Sequence, residues 1–106
     1  MMAVFHAENP SFGFDWKESE VEEGAFSKVC FVDTQDLNQA YKLTNHIEED
    51  WTSNREVFSA IPCSRSTSVG DVIGIVSEGK ITQLYVVAGR GFAELDLGKY
   101  QDKFKI

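Results

Sequence analysis

The sequence predicts an α+β fold, in which a mostly antiparallel, curled sheet or small open barrel carries one principal helix. Three observations support this fold class. Most apolar segments are short and rich in β-branched or aromatic residues, as strands are. Only one segment, Asp33–Ile47, repeats its apolar residues with helical spacing. Connections long enough for parallel crossovers are scarce, which favours antiparallel pairing. With 106 residues, the chain is expected to form a single domain, residues 1–106.

The N-terminal quarter combines a short strand with an acidic segment. Met2–Ala7 is fairly apolar and is predicted to be an edge strand, ending before Asn9 and Pro10. Residues 15–24 carry five acids and one lysine, and their apolar residues follow no clear period. This segment is therefore predicted to be an irregular arm or loop. The aromatic side chains expected to hold it against the body are Phe12, Phe14 and Trp16.

Phe26–Val32 is the first strong strand. Alternation places Phe26, Lys28, Cys30 and Val32 on one face and Ser27, Val29 and Phe31 on the other. Because both faces include apolar residues, an inner strand is predicted.

The principal helix is predicted to begin after Asp33 or Thr34, whose side-chain oxygens can cap free backbone N–H groups. The acids at 48–50 would oppose the C-terminal end of the helix dipole, so the helix is predicted to stop near Asn45 or His46. Its apolar face consists of Leu37, Ala40, Tyr41, Thr44 and Ile47.

The second half reads as a succession of strands. They are predicted at Val57–Ile61, Val69–Val76, Ile81–Val87 and Phe92–Leu95, with a tight turn at 78–80 between the second and third. Leu97–Ile106 is weakly amphipathic and is predicted to be a tail, with a short added strand as one option. Trp51 lies in a polar bridge after the helix, where burial beneath the helix end is favoured over exposure as an interface anchor.

The formal charge of −7 is unevenly distributed. Residues 1–50 hold 11 acidic and 3 basic side chains, whereas residues 51–106 hold 6 acidic and 7 basic ones. Such a surface argues against binding a nucleic-acid backbone and is compatible with a partner protein whose surface is basic. Solubility alone is the simpler explanation. The candidate acidic interface consists of Asp15, Glu18, Glu20, Glu22, Glu23, Glu48, Glu49 and Asp50.

The cysteines and histidines do not indicate a metal site or a cofactor. Cys30 and Cys63 lie in apolar stretches and are expected to be buried free thiols. Neither they nor His6 and His46 have the paired spacing of zinc ligands. No basic, apolar leader precedes the first strand and no apolar run could span a bilayer, so a cytoplasmic protein without membrane contact is expected. A homodimer would supplement the core of so small a chain.

The most distinctive polar segment is 64–68, in which four hydroxyl side chains surround Arg65. Such a group could hold an anion, since guanidinium and hydroxyl groups both donate to phosphates. A loop whose hydroxyls bond their own backbone is the favoured alternative. The Gly89–Phe92 stretch is the second candidate, as Arg90 and Phe92 could stack on a base, although a bulge or break in the strand is favoured. No nucleophile elbow or framed carboxylate pair occurs, so a binding protein is expected rather than an enzyme.

Several of these residues resemble a group of small phage- and plasmid-encoded proteins of unsettled function. The resemblance runs from about Val29 to Leu95 and is carried by Leu43-Thr44-Asn45, Trp51, the block Arg65 to Val72, Tyr85-Val86-Val87 and Gly91-Phe92. A fainter similarity is to PUA-like and ASCH-like barrels, which also carry Val-Gly-Asp at a strand start and often bind RNA. The acidic arm lies outside the resemblance to the phage and plasmid proteins.

Two functions follow as hypotheses. The first is an accessory protein of a phage or other mobile element that binds, and could inhibit, a host or defence protein with a basic surface. The second is a PUA- or ASCH-like binder of RNA or a modified nucleotide. A small hydrolase or nuclease with scattered site residues is a weaker third. The candidate binding residues are Arg65, Ser66, Thr67, Ser68, Asp71, Arg90 and Phe92. A shared pocket for Arg65, Asp71 and Arg90 would favour a ligand, and scattered positions would favour a protein interface.

Overall fold

The computed structural model describes residues 1–10, 13–45, 50–62 and 64–106, which form one six-stranded antiparallel sheet with helices on both faces. The strands are β1 (Met2–Ala7), β2 (Phe26–Val32), β3 (Val57–Phe58), β4 (Val72–Ser77), β5 (Lys80–Val87) and β6 (Phe92–Leu95). The helices are α1 (Glu18–Glu23), α2 (Leu37–Thr44) and α3 (Leu97–Tyr100), with a 3₁₀ helix at Trp51–Ser53. The predicted α+β fold is confirmed in its open-sheet form, because the strand order β3-β2-β1-β4-β5-β6 does not close into a barrel.

Strand β1 lies inside the sheet, so its prediction as an edge strand is wrong. It pairs with β2 on one side and with β4, about seventy residues later in the chain, on the other. Both of its faces are buried: Met2 and Val4 belong to one core cluster, and Ala3 and Phe5 belong to the other. An almost continuous apolar strand is typical of a position covered on both faces.

The sheet separates two apolar layers. On one face, α2 and the 3₁₀ helix contribute Ala40 and Trp51, which pack against residues of the inner strands. On the opposite face, α1 and α3 contribute Val21 and Tyr100, and Phe104 packs beside them. The predicted burial of Trp51 is confirmed, since it is 2% exposed.

A bulge in β2 changes which side chains point to which face. Val4 pairs with Cys30 and Phe5 pairs with Lys28, so Val29 is an extra residue opposite β1. Val29 and Cys30 consequently both join the α2 layer, while Phe31 packs on the other face. The inner position of β2 is confirmed, but the predicted division of its side chains by simple alternation is wrong.

Helix α2 begins later than predicted and ends about where predicted. Its N-cap is Asp36, which accepts a hydrogen bond from the backbone N–H of Asn38 at 2.8 Å. Neither predicted residue is the cap: Asp33 lies three residues earlier, directly after β2, and Oγ1 of Thr34 accepts from the N–H of Asp36 itself at 3.2 Å. The C-cap is Asn45, close to the predicted end. The helix-face residue Ile47 lies outside the described residues, as does His46.

Two segments predicted without a helix contain one. Residues 18–23 of the arm form α1, in which buried Val21 is the contact with the core. The C-terminal tail forms α3, capped by Asp96, instead of an added strand. With six and four residues, these helices are too short to show a readable period in the sequence, so both depend on tertiary packing. Of the aromatic side chains expected to hold the arm, Trp16 packs on the core, Phe14 is fully exposed and Phe12 lies outside the described residues.

The remaining strands differ from prediction mainly in their ends. The tight turn is confirmed: Glu78 and Gly79 both have positive φ, as a two-residue turn matched to the twist of β4 and β5 requires. Strand β3 has two residues instead of five, and β4 begins three residues later than predicted.

None of the helices in the described ranges has the length and apolar character needed to span a bilayer.

Candidate functional site

The segment 65–71 is organised around an ion pair between Arg65 and Asp71. Nη1 and Nη2 of Arg65 lie 2.6 and 2.8 Å from Oδ2 and Oδ1 of Asp71, the two-point geometry in which a guanidinium and a carboxylate fit best. Nη2 also donates to the carbonyl of Ala7 at 2.9 Å. The side chain of Asp71 is 1% exposed and that of Arg65 is 28% exposed, so the pair is mostly removed from water.

Asp71 also holds the backbone around it. Its Oδ1 accepts from the N–H of Ala7 at 2.9 Å, and its Oδ2 accepts from the N–H of Ser68 at 2.7 Å. The carboxylate therefore joins the end of β1 to the loop that leads into β4. Such a set of contacts gives the Val-Gly-Asp block a structural role.

His6 and Thr67 extend this network into the core. Nε2 of His6 lies 2.9 Å from Oγ1 of Thr67, and both residues are buried. Burial lowers the pKa of His6 to about 4; nearby Asp71 opposes this shift and Arg65 adds to it. The imidazole is therefore neutral near pH 7. Trp51 closes the network by donating from Nε1 to the carbonyl of Arg65 at 3.0 Å.

The hydroxyls of the 64–68 segment bond mainly inside the protein. Ser64 donates to the carbonyl of Ile61 at 2.7 Å, and Ser68 donates to that of Ser66 at 3.2 Å. Nη1 of Arg65 donates to the Ser66 carbonyl as well. These contacts match the favoured interpretation of a loop whose side chains bond its own backbone, and they direct the guanidinium towards the protein.

Arg90 and Phe92 belong to another part of the chain, the loop after β5 and the start of β6. Arg90 is exposed in the loop between β5 and β6, and Phe92 packs edge-on against Tyr41 with ring centres 6.3 Å apart. The chain does break at 89–91, as favoured, because Ala88 bonds across the loop to the carbonyl of Gly91. The two clefts beside Val69 are lined by neither Arg65 nor Arg90.

Gly89 allows a close approach, but the group that approaches is the acidic arm. A Cβ at this position would lie 2.4 Å from the carbonyl oxygen of Phe14. The N–H of Gly89 donates to Oδ1 of Asp15 at 2.9 Å. This contact explains the need for a glycine without a bound ligand, and it fixes the start of the arm on the body.

The acids of α1 divide into two sets. Glu18 and Glu22 both pair with Lys99 of α3, and the hydroxyl of Tyr100 also donates to Glu18, which lowers the pKa of that carboxyl. Glu20 and Glu23 form no ion pair within the described part of the chain. Glu18 and Glu22 therefore attach α1 to α3, whereas Glu20 and Glu23 remain available to a partner.

Glu20 and Glu23 border a cleft of about 240 Å³, which we call the acidic cleft. Its apolar wall includes Pro10, Ala25, Phe26 and Val69. Its third carboxylate belongs to Asp15. An apolar wall beside three carboxylates suits a group that is both aliphatic and cationic.

The rest of the predicted acidic interface contributes less to this surface. Asp50 is exposed, but its carboxylate caps the 3₁₀ helix by accepting from the N–H of Thr52 at 3.0 Å. Glu48 and Glu49 lie outside the described residues. Cys30 is buried, which raises the pKa of its thiol to about 12, and Cys63 lies outside the described residues. In the described ranges, no group of His, Cys, Asp and Glu side chains could hold a metal ion.

Sequence reasoning missed two contributors, His6 and Lys99. His6 sits in an apolar strand, a position that signals burial, but its partner Thr67 is 61 residues away. Lys99 lies in a weakly patterned tail whose helix was not predicted. Comparison with protein families, with curated proteins and with solved structures finds no match to this chain.

Proposed function

We propose that this protein is a binding protein whose acidic surface, formed by the acidic cleft and α1, contacts a partner protein with a basic surface. One observation carries the proposal. Glu20, Glu23 and Asp15 all line one cleft, while Lys99 of α3 is paired with the other two acids of the same helix, Glu18 and Glu22. Complementary charge of this kind favours fast and selective association.

The frame that carries these acids is well anchored. Val21 is 1% exposed because it packs into the apolar layer between α1 and the sheet. Lys103, in the segment after α3, also donates to the backbone carbonyl of Glu22 at 2.8 Å. A surface fixed before binding loses less conformational entropy when a partner arrives.

The resemblance to phage- and plasmid-encoded proteins favours a partner in the host or its defence machinery. In this proposal the chain acts as an accessory protein of a mobile element, and binding itself inhibits or diverts the partner. RNA binding through Arg65 and Arg90 receives less support, because the guanidinium of Arg65 already binds Asp71 and the carbonyl of Ala7.

Affinity capture from a host lysate tests the proposal when a charge-matched control is included. The wild-type protein should recover a basic protein at physiological salt and lose it as salt is raised, since screening weakens such contacts. The double variant Glu20→Lys/Glu23→Lys should lose this protein. The control Glu78→Lys/Glu94→Lys changes the net charge equally at two exposed positions outside the cleft and should retain it.

The captured protein would then be purified and titrated against all three forms. Equal binding by both double variants, or recovery of no basic partner by the wild-type protein at physiological salt, would contradict the proposal.

A further inference from the structure

We infer that the acidic cleft receives one long cationic side chain, a lysine or an arginine, from the partner protein. The inference rests on the proposed function and adds the element that is recognised: a side chain inserted into a cleft, as distinct from a broad basic field.

The size of the cleft suits a single side chain. Its volume is about 240 Å³, below the range of roughly 300–1,000 Å³ that pockets for whole small-molecule ligands occupy. The cleft lies between α1, the end of β1 and the segment after it, the start of β2 and the turn at Val69–Gly70, so several separate parts of the chain form its walls.

The chemistry of the cleft matches the two parts of such a side chain. Pro10, Phe26 and Val69 offer apolar surface to a methylene stem. Asp15, Glu20 and Glu23 offer carboxylates to the cationic head. Lysine and arginine side chains commonly place their stems along apolar surface and keep the charged group in a polar setting. A purely aliphatic group would cover carboxylates without pairing them, which costs free energy.

The carboxylates stand on a frame that is fixed before binding. Asp15 accepts hydrogen bonds from the N–H groups of Trp16 and Gly89, both at 2.9 Å, and both bonds use Oδ1. The N–H of Gly24 donates to the carbonyl of Glu20 at 3.0 Å, which ends α1 directly beside the cleft. The carboxylate of Asp15 and the backbone that carries Glu20 and Glu23 are therefore held in place by the fold.

The experiment is a nuclear magnetic resonance titration of the ¹⁵N-labelled protein with four short glycine-flanked peptides. Their central residues are lysine, arginine, norleucine and Nε-acetyl-lysine. We expect the backbone amides of Gly24, Ala25 and Gly70 to shift saturably with the lysine or the arginine peptide. The norleucine and acetyl-lysine peptides, which lack the charge, should bind about tenfold more weakly or not at all.

Two variants separate the cleft from the general acidic field. Ala25→Trp fills the cleft without removing charge, and Glu20→Gln/Glu23→Gln removes charge with little change in volume. Each should weaken binding of the lysine or arginine peptide about tenfold. The control Glu78→Gln/Glu94→Gln removes two exposed acids elsewhere and should change binding by less than about twofold.

The outcomes distinguish this inference from the proposed function. If Ala25→Trp binds the peptides as the wild type does, and both glutamine variants weaken binding equally, the acidic field alone binds; the inference is then overturned and the proposed function stands. If no peptide binds and no basic partner protein is recovered, both the inference and the proposed function are contradicted. Spermidine binding as tightly as the peptides would indicate a free polyamine and overturn the assignment to a partner protein. If Ala25→Trp does not fold, the wild-type shifts decide: shifts at Gly24, Ala25 and Gly70 support the cleft, and shifts confined elsewhere overturn it.

Discussion

The 65–71 segment and the acidic cleft are both rich in charge, but they use it in opposite ways. In the first, the carboxylate of Asp71 is 1% exposed and is bound by Arg65 and two backbone N–H groups. In the second, Glu20 and Glu23 face a cleft and form no ion pair within the described residues. The more distinctive motif is turned towards the protein, and the plainer acidic segment is turned towards solvent.

This difference shows what burial does to a polar motif. A buried charge must find partners inside the protein, so its neighbours in the sequence are constrained by the fold itself. An exposed carboxylate is solvated and imposes no such constraint, so it remains available to a partner. A motif that looks like a ligand site can therefore be a structural clamp.

Removing the carboxylate of Asp71 should have the largest effect on stability. Asp71→Ala leaves the guanidinium of Arg65 and the N–H groups of Ala7 and Ser68 without their acceptor. Because Arg65 is partly exposed and can regain some water, we expect a loss near the low end for a broken buried pair, about 3 kcal/mol. Urea unfolding measures it. Asp102→Ala, which removes an exposed ion pair with Lys105, is the control and should barely move the midpoint. If the two variants lose equal stability, the clamp is contradicted.

The next effect concerns pH and His6. Because burial lowers the pKa of His6 in the folded protein to about 4, against 6.5 for an unburied histidine, the unfolded chain binds more protons between these values. The stability that the protein gains from holding His6 neutral is thus complete above about pH 6.5 and is lost as the pH falls towards 4. From about pH 7.5 to about pH 5 we expect a loss of about 2 kcal/mol.

Urea unfolding of the wild-type protein and of His6→Gln at several pH values checks this expectation. The variant keeps a polar group near Thr67 but cannot titrate, so its stability should change less over the same window. The groups that face the imidazole in the wild-type protein are Asp71, Arg65 and Thr67. The His6→Gln variant keeps all three residues. An identical slope in both proteins would show that His6 does not carry the pH dependence.

The smallest effect on stability is expected at the acidic cleft. Glu20→Gln/Glu23→Gln should change the free energy of unfolding by no more than about 0.5 kcal/mol per residue, because these side chains lack ion-pair partners in the described structure. The same urea measurement applies. A loss as large as that of Asp71→Ala would mean that both regions are structural, and the contrast between them would disappear.

Pairings between successive strands could be predicted better than the long-range one. Within β1–β3 and within β4–β6, strands that follow each other in the chain are neighbours in the sheet, and the Glu78–Gly79 turn fixes the pairing of β4 with β5. The central place of β1 could not be read in this way, because its pairing with β4 joins residues about seventy positions apart. The bulge at Val29 was equally unreadable, since it appears only when β2 is laid against β1.

The candidate site follows the same division. Its composition was visible in the sequence: an acidic arm, and an arginine among hydroxyls ahead of an aspartate. The sequence did not show which charges would find partners inside the protein. Arg65 is held by Asp71 and also by the carbonyl of Ala7, which belongs to a distant strand.

By itself, the sequence determined the fold class, the inner position of β2, the hairpin between β4 and β5, the burial of Trp51 and the acidic character of the first half. These properties depend on local patterns of apolar residues, turn residues and charge, which act over a few residues. Only the tertiary structure decided that the 65–71 segment faces inward, that α1 forms on buried Val21, and that Asp15, Glu20 and Glu23 share a cleft. Those properties depend on contacts between segments far apart in the chain, and burial assigns each charged group either to the interior or to solvent.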